Sequence, residues 1–253
     1  MERRRLDEVS PRDPAPWSAR RAVHENEESR RVLFRDRRDA GRRLSVELMP
    51  LADQRPLVAA LPRGGVPVAV EVARALGAPL DILAVRKLGA PHDPELAVGA
   101  VAEDGTGVLD RRSARMLGMT QAALDAALAR ESRELRRRVD RYRDGRPPIP
   151  VGMRTVIVVD DGLASGLTDA AAVRALRRRG ASSIIVAAPV GSRESVSWLA
   201  EEADSVVCLT VPRRLGSVGV WYRDFTAVHD GEVLALLAQA GEQSSARDQH
   251  GSA

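Results

Sequence analysis

Short apolar runs alternate with longer amphipathic ones along most of the chain. The runs at 57–61, 80–85, 155–159, 183–188 and 205–209 are rich in Val, Ile, Leu and Ala. They are too short for stable helices, and their composition predicts strands. The run at 155–159 is apolar at every position after Thr155, the pattern of a strand buried on both faces near the centre of a parallel sheet. Between the runs, residues 67–76, 168–179 and 193–201 predict helices, with Gly77 and Gly180 as stops. Thr120 reads as the N-cap of a long helix to Tyr142, whose Leu124, Leu128, Leu135, Val139 and Tyr142 keep to one face. A further helix is expected over 30–51, with Leu33, Leu44 and Leu48 inward, and another from Asp230 to Leu237. Residues 97–102 and 106–109 flank Glu103-Asp104-Gly105 as a hairpin. The alternation predicts an α/β fold: a mostly parallel sheet, helices on both faces, ligands at the carboxyl ends of the strands.

The expected domain covers residues 29–240. Residues 1–28, charged and proline-containing, and residues 241–253, rich in Gln, Ser and Gly, read as disordered tails. No apolar run approaches the roughly 20 residues of a membrane span, and no apolar stretch follows the charged start as a secretion signal would. The one cysteine, Cys208, lies in an apolar run and reads as a buried hydrophobe, so a reducing cytoplasm is expected. The net charge is +4 and the isoelectric point about 10.1. Arginines and acids are both spread along the chain, however, and the basic runs fall on helix surfaces and helix ends. Nucleic acid is therefore not the expected partner. His24, His92, His229 and His250 lie far apart and lack metal-ligand spacing. Of 39 basic side chains only Lys87 is lysine, which singles it out for a site wanting a compact ammonium.

The segment that carries chemistry is 156–168. A buried strand ends in two adjacent acids, Asp160 and Asp161. A loop of small residues follows, Gly162, Ala164, Ser165 and Gly166, and a helix opens at Leu167 and Thr168. Small side chains let backbone N–H groups converge on an anion, and the helix N-terminus adds positive potential. The acids would repel a phosphate, so they suit neutral hydroxyls beside it. A phosphate joined to a vicinal diol is a ribose 5-phosphate. The common nucleotide signatures G-x-x-x-x-G-K-[ST] and G-x-G-x-x-G are absent.

This segment closely resembles the signature of type I phosphoribosyltransferases. Residues 34–41, 61–67, 85–89 and 218–225 are similar to a bacterial subfamily of that family whose acceptor is unassigned. The resemblance spans about residues 30–240 and implies the type I fold with a small hood or flap. It implies that Asp160 and Asp161 hold the ribose hydroxyls and that Gly162 and Ala164 to Thr168 surround the 5′-phosphate. It assigns the loop Pro62-Arg63-Gly64-Gly65 to the diphosphate, with Arg63 as a charge partner. Arg86 and Lys87 would face the same cleft and neutralise the leaving diphosphate; the alternative is a solvated strand end. Residues 91–109 read as a mobile cover or a plain surface loop, with His92, Asp93 and Glu95 inside it. Trp221 and Tyr222 are read either as a platform for a flat base or as a hydrophobic plug, and Phe225 as core. Ala164 stands where 6-oxopurine members carry an aspartate.

The expected activity is transfer of ribose 5-phosphate from 5-phosphoribosyl 1-diphosphate to a nitrogenous base, in nucleobase salvage. Magnesium would bridge the diphosphate and ribose hydroxyls, reaching Asp160 and Asp161 through water, and a homodimer is expected. The rival readings are a phosphoribosyl diphosphate sensor that binds nucleic acid and a sugar-phosphate hydrolase. On sequence alone, Asp161→Asn should abolish most turnover and leave the fold intact.

Overall fold

The structure is a computed structural model that describes residues 34–90 and 93–250. Five parallel strands form the main sheet in the order β2-β1-β6-β7-β8. They are β1 (Leu57–Ala60), β2 (Leu80–Ile82), β6 (Thr155–Val159), β7 (Ser183–Val190) and β8 (Ser205–Thr210). Every side chain of β6 after Thr155 is buried, as its uniform apolar content requires. On one side of β6, β7 and β8 follow it in sequence, whereas β1 on the other side is followed by β2. The order therefore reverses between β1 and β6, and the loops leaving those two strands diverge there, the usual place for a ligand in an open parallel sheet.

Helices cover both faces. On one face α1 (Arg37–Leu48), α2 (Gly65–Leu76) and α7 (Asp230–His250) bury Leu44, Val68 and Val233 against the sheet, and α4 (Gln121–Arg143) adds Leu135 and Tyr142 to the same core from beside α7. On the other, α5 (Leu167–Arg178) and α6 (Arg193–Glu202) bury Ala171, Leu176 and Leu199. The caps fall where the sequence puts them. Thr120 accepts from the Ala123 N–H at 3.2 Å, and Gly77 closes α2 in the left-handed region at φ 62°.

Four local expectations change. The first helix begins at Arg37, not residue 30, because Asp36 caps it by accepting from the Asp39 N–H at 2.7 Å. Phe34 just upstream forms an isolated bridge instead, its N–H donating to the Trp221 carbonyl at 2.9 Å. The second strand stops at Ile82. The chain then leaves the main sheet and forms β3 (Val85–Ala90), which pairs antiparallel with β4 (Asp93–Ala102); β4 pairs in turn with β5 (Gly107–Leu109). The hairpin thus belongs to a separate three-stranded flap packed on α5. A short helix, α3 (Arg111–Met116), precedes α4 and is capped by Asp110. The last helix runs on to His250, past the expected stop at Leu237 and through the expected tail from Gly241. The expected tail 1–28, and with it His24, lies outside the described residues, as do Leu33 and His92. No helix among the described residues is long and apolar enough to cross a membrane. Cys208 is buried, its thiol pushed up to about 12 by burial.

Candidate active site

The two loops at the reversal point touch. A Cβ placed on Gly64 would lie 2.0 Å from Asp161 Oδ2, and one on Gly65 would lie 2.5 Å from the Val159 carbonyl. Only glycine lets the turn after β1 pack this closely on the end of β6.

Asp160 and Asp161 are both half-buried at that end. Asp160 Oδ1 accepts from the Asp161 N–H at 2.8 Å. Burial pushes the Asp160 carboxyl well above the ordinary carboxylate range, and the charges of Asp161 and Asp169 push the same way. Asp161 Oδ2 accepts from Arg37 Nε at 2.8 Å, in an ion pair whose side chains are 10% and 16% exposed. Arg37 is held in turn. Its Nη1 donates to the Thr226 carbonyl at 2.9 Å, and its guanidinium lies 3.8 Å from the centre of the Phe225 ring. No local pattern in the sequence signals this pair, which joins residues 124 apart. One oxygen of each acid is therefore committed to the protein. The other oxygens, Asp160 Oδ2 and Asp161 Oδ1, accept no hydrogen bond among the described residues and are not sealed from solvent.

The small-residue loop is built as its composition suggests. Ala164 and Ser165 are exposed, Thr168 is half-buried, and Gly166 takes a left-handed φ of 72° as it enters α5. Trp198 packs over Gly166, within 3.2 Å of where a Cβ would lie. Gly162 fits beneath Val218, which a Cβ would meet at 2.5 Å.

The expected cations are distributed differently. Arg86 and Lys87 are not in a loop following a core strand but within β3 of the flap. Arg86 Nε donates to Glu131 Oε2 at 2.6 Å, so its charge is engaged by α4. Lys87 is exposed, and its charge opposes the upward shifts of both Asp160 and Asp169. Arg63 is exposed and sits 3.8 Å from Asp230. Trp221 and Tyr222, read as a base platform or a plug, are 9% and 5% exposed and share an aromatic cluster with Phe34 and Phe225. The indole N–H donates to the Leu215 carbonyl at 3.0 Å, and the Tyr222 hydroxyl donates to the Asp161 carbonyl at 2.6 Å. Both rings are buried with their polar ends occupied, and Tyr222 packs between Phe34 and Phe225. Among the described residues no cluster of His, Cys, Asp and Glu could hold a metal directly.

Asp169 is a buried acid electrostatically linked to Asp160 that the sequence does not single out. It lies in the first turn of α5, is 2% exposed, and its Oδ1 has no partner. Burial pushes its carboxyl up to about 7. The unfolded chain then sheds this proton near pH 4 while the folded chain keeps it, so stability falls as pH rises from about 4 to 7 and stays low above that. Asp169→Asn is accordingly expected to raise Tm by several degrees at pH 8 and by much less at pH 5. Thermal unfolding at the two pH values checks this, and a gain independent of pH would refute it.

A parallel sheet with paired acids and a small-residue loop at its reversal point, topped by an antiparallel flap, defines an α/β protein of the type I phosphoribosyltransferase class. Residues 36–223 match the family model of the phosphoribosyl transferase domain, and the chain belongs to that family. It is 46% identical over 208 residues to Mycobacterium tuberculosis proteins named as candidate phosphoribosyl transferases; the match covers 82% of this chain and 47% of theirs. The chain thus spans about half the length of those curated relatives. A crystal structure of a Thermus thermophilus protein aligns with TM-score 0.70 and 45% identity, covering 82% of this chain and 98% of that one.

Proposed function

We propose that the protein transfers ribose 5-phosphate from 5-phosphoribosyl 1-diphosphate to a nitrogenous base and releases diphosphate. The observation that carries this reading is the junction of Asp160, Asp161 and Gly64 beside the open small-residue loop. The free oxygens of the two acids would accept from the ribose 2′- and 3′-hydroxyls, and the N–H groups at the start of α5, with Ser165 and Thr168, would hold the 5′-phosphate. The Arg63-Gly64-Gly65 turn would take the diphosphate, with Lys87 of the flap as the nearby cation. As the C1–O bond breaks, positive charge grows on the sugar beside the carboxylates and negative charge on the leaving group beside the cations.

Magnesium fits this arrangement. Two carboxylates with one solvent-facing oxygen each can accept from metal-bound waters without ligating the ion themselves. When bound it would neutralise the leaving diphosphate.

The test is diphosphate release from phosphoribosyl diphosphate and magnesium across a panel of purines, pyrimidines and other nitrogen heterocycles. Base-dependent release is expected. Tight binding of the donor with no release for any base would sink the transferase reading.

A further inference from the structure

The turn proposed for the diphosphate, Pro62-Arg63-Gly64-Gly65, carries its charge on Arg63. The backbone there is fixed. The Arg63 carbonyl accepts from the Val66 N–H at 3.2 Å, and Gly64 packs on Asp161. The side chain is exposed, and a free arginine has many rotamers. Such a guanidinium recognises an anion well only if something limits where it goes. Among the described residues one acid lies within ion-pair distance: Asp230, whose Oδ1 is 3.8 Å from Arg63 Nη1.

Asp230 opens α7 and is held more firmly than the arginine it faces. Tyr142 of α4, 1% exposed, donates its hydroxyl to Oδ1 at 2.7 Å, and Arg141 Nη1 donates to Oδ2 at 2.9 Å. Each oxygen has its own donor, so the carboxylate cannot turn without losing one. The Tyr142 hydrogen bond and the charges of Arg141, Arg63 and Arg138 hold the Asp230 carboxyl below the ordinary range, and it stays ionised. Burial and the bond to Asp230 push the Tyr142 phenol up to about 12, so it keeps the proton it donates. The helix that Asp230 opens packs on α2, the helix that the diphosphate turn leads into. The contact to Arg63 is long by comparison. Arg63 spends no side-chain hydrogen bond on it or on any other described residue.

On the reading that this turn takes the diphosphate, we infer that Asp230 is a positioning residue for Arg63: fixed by Tyr142 and Arg141, it confines the guanidinium while leaving its N–H groups free for the diphosphate oxygens. It acts through Arg63 and not on the donor itself. Charge alone predicts the opposite effect. Removing an acid from among Arg63, Arg138 and Arg141 makes their surroundings more positive and should tighten binding of an anion. A mere anchor for α7 would change Tm and no affinity.

The experiment measures binding to the full chain by calorimetry with magnesium present. Phosphoribosyl diphosphate, inorganic diphosphate and ribose 5-phosphate are separate probes. Asp230→Asn keeps an acceptor for Tyr142 and is expected to raise the Kd of the two diphosphate-bearing probes about three- to tenfold, with ribose 5-phosphate within about twofold of the wild type. In an Arg63→Ala background, itself weakened toward diphosphate, the same substitution should add less than about twofold. Tyr142→Phe frees Oδ1 and leaves the charge in place, and it should weaken diphosphate binding in the same direction by a smaller factor. That variant carries the test if Asp230→Asn does not fold. Unchanged or tighter diphosphate binding in the folded variant overturns the inference, as does full additivity with Arg63→Ala. If Arg63→Ala leaves diphosphate binding intact, Arg63 is removed from the donor site and the inference goes with it, while the transferase reading stands. A wild-type protein that binds no phosphoribosyl diphosphate would defeat that reading itself.

Discussion

Asp161→Asn is expected to lower turnover by roughly 100-fold or more, the scale seen when one preorganised electrostatic group is removed from a reacting centre. The sequence alone suggests that the fold would be untouched. The structure says otherwise, because Asp161 is the counter-ion of Arg37 in a pair with little exposure on either side. Neutralising it strands a guanidinium that is also tied to Thr226 and Phe225. Removing one member of a well-buried pair costs about 3–5 kcal/mol, and the amide recovers part of that by still accepting from Nε. A Tm lower by several degrees is expected alongside the kinetic loss. Diphosphate release, assayed well below the variant's Tm, separates the two effects. Wild-type turnover in a folded Asp161→Asn protein would remove the diol assignment.

Gly64→Ala is expected to be nearly as damaging, although it adds one methyl group. That methyl would lie 2.0 Å from Asp161 Oδ2 and 2.6 Å from its carboxyl carbon. The carboxylate cannot swing aside without dragging Arg37, which joins α1 to the Thr226 segment. Overpacking of this kind costs about 1–3 kcal/mol, and the displaced acid loses its place at the sugar, so turnover should fall at least about tenfold. Gly105→Ala is the matched comparison. Gly105 has φ 82° but nothing within 4 Å of its added Cβ, so only the backbone penalty of about 1 kcal/mol applies and turnover should hold. Thermal melts and diphosphate release on both variants decide the matter. Indistinguishable behaviour would mean that the two loops do not pack as described.

Both predictions depend on contacts between distant parts of the chain, and the features hard to read from sequence share that property. The strand runs, the caps at Thr120 and Gly77, and the loop 160–168 are each specified within a few residues. Periodicity and turn chemistry therefore expose them. Lys87 stands out in the sequence by its rarity, but its element does not. Residues 82–85 continue the apolar run of the second strand, and only pairing with β4 reveals that the chain leaves the main sheet after Ile82. Trp221 and Tyr222 look alike as plug or platform in sequence, and only the fold shows Phe34 and Phe225 sharing their cluster. Arg37 stands in a run of arginines on a helix that reads as an ordinary solvated surface, and Asp169 looks like an ordinary first-turn acid.

The alternation of strand and helix, and the acid-then-small-residue loop on which the proposed sugar-phosphate site rests, are written in the chain's local order. Each follows from side-chain period, β-branching or the freedom of glycine. Folding in three dimensions settled the rest: which acid oxygens stay open, which arginine neutralises Asp161, and which side chains gather beside Ala164. Strand order made those choices, because no residue can specify a neighbour that lies far along the chain until the sheet brings the two together. Reversing direction between β1 and β6 sets Gly64 on Asp161, and placing β7 and β8 beside β6 carries Trp198, Arg213 and Arg214 to the same edge of the small-residue loop.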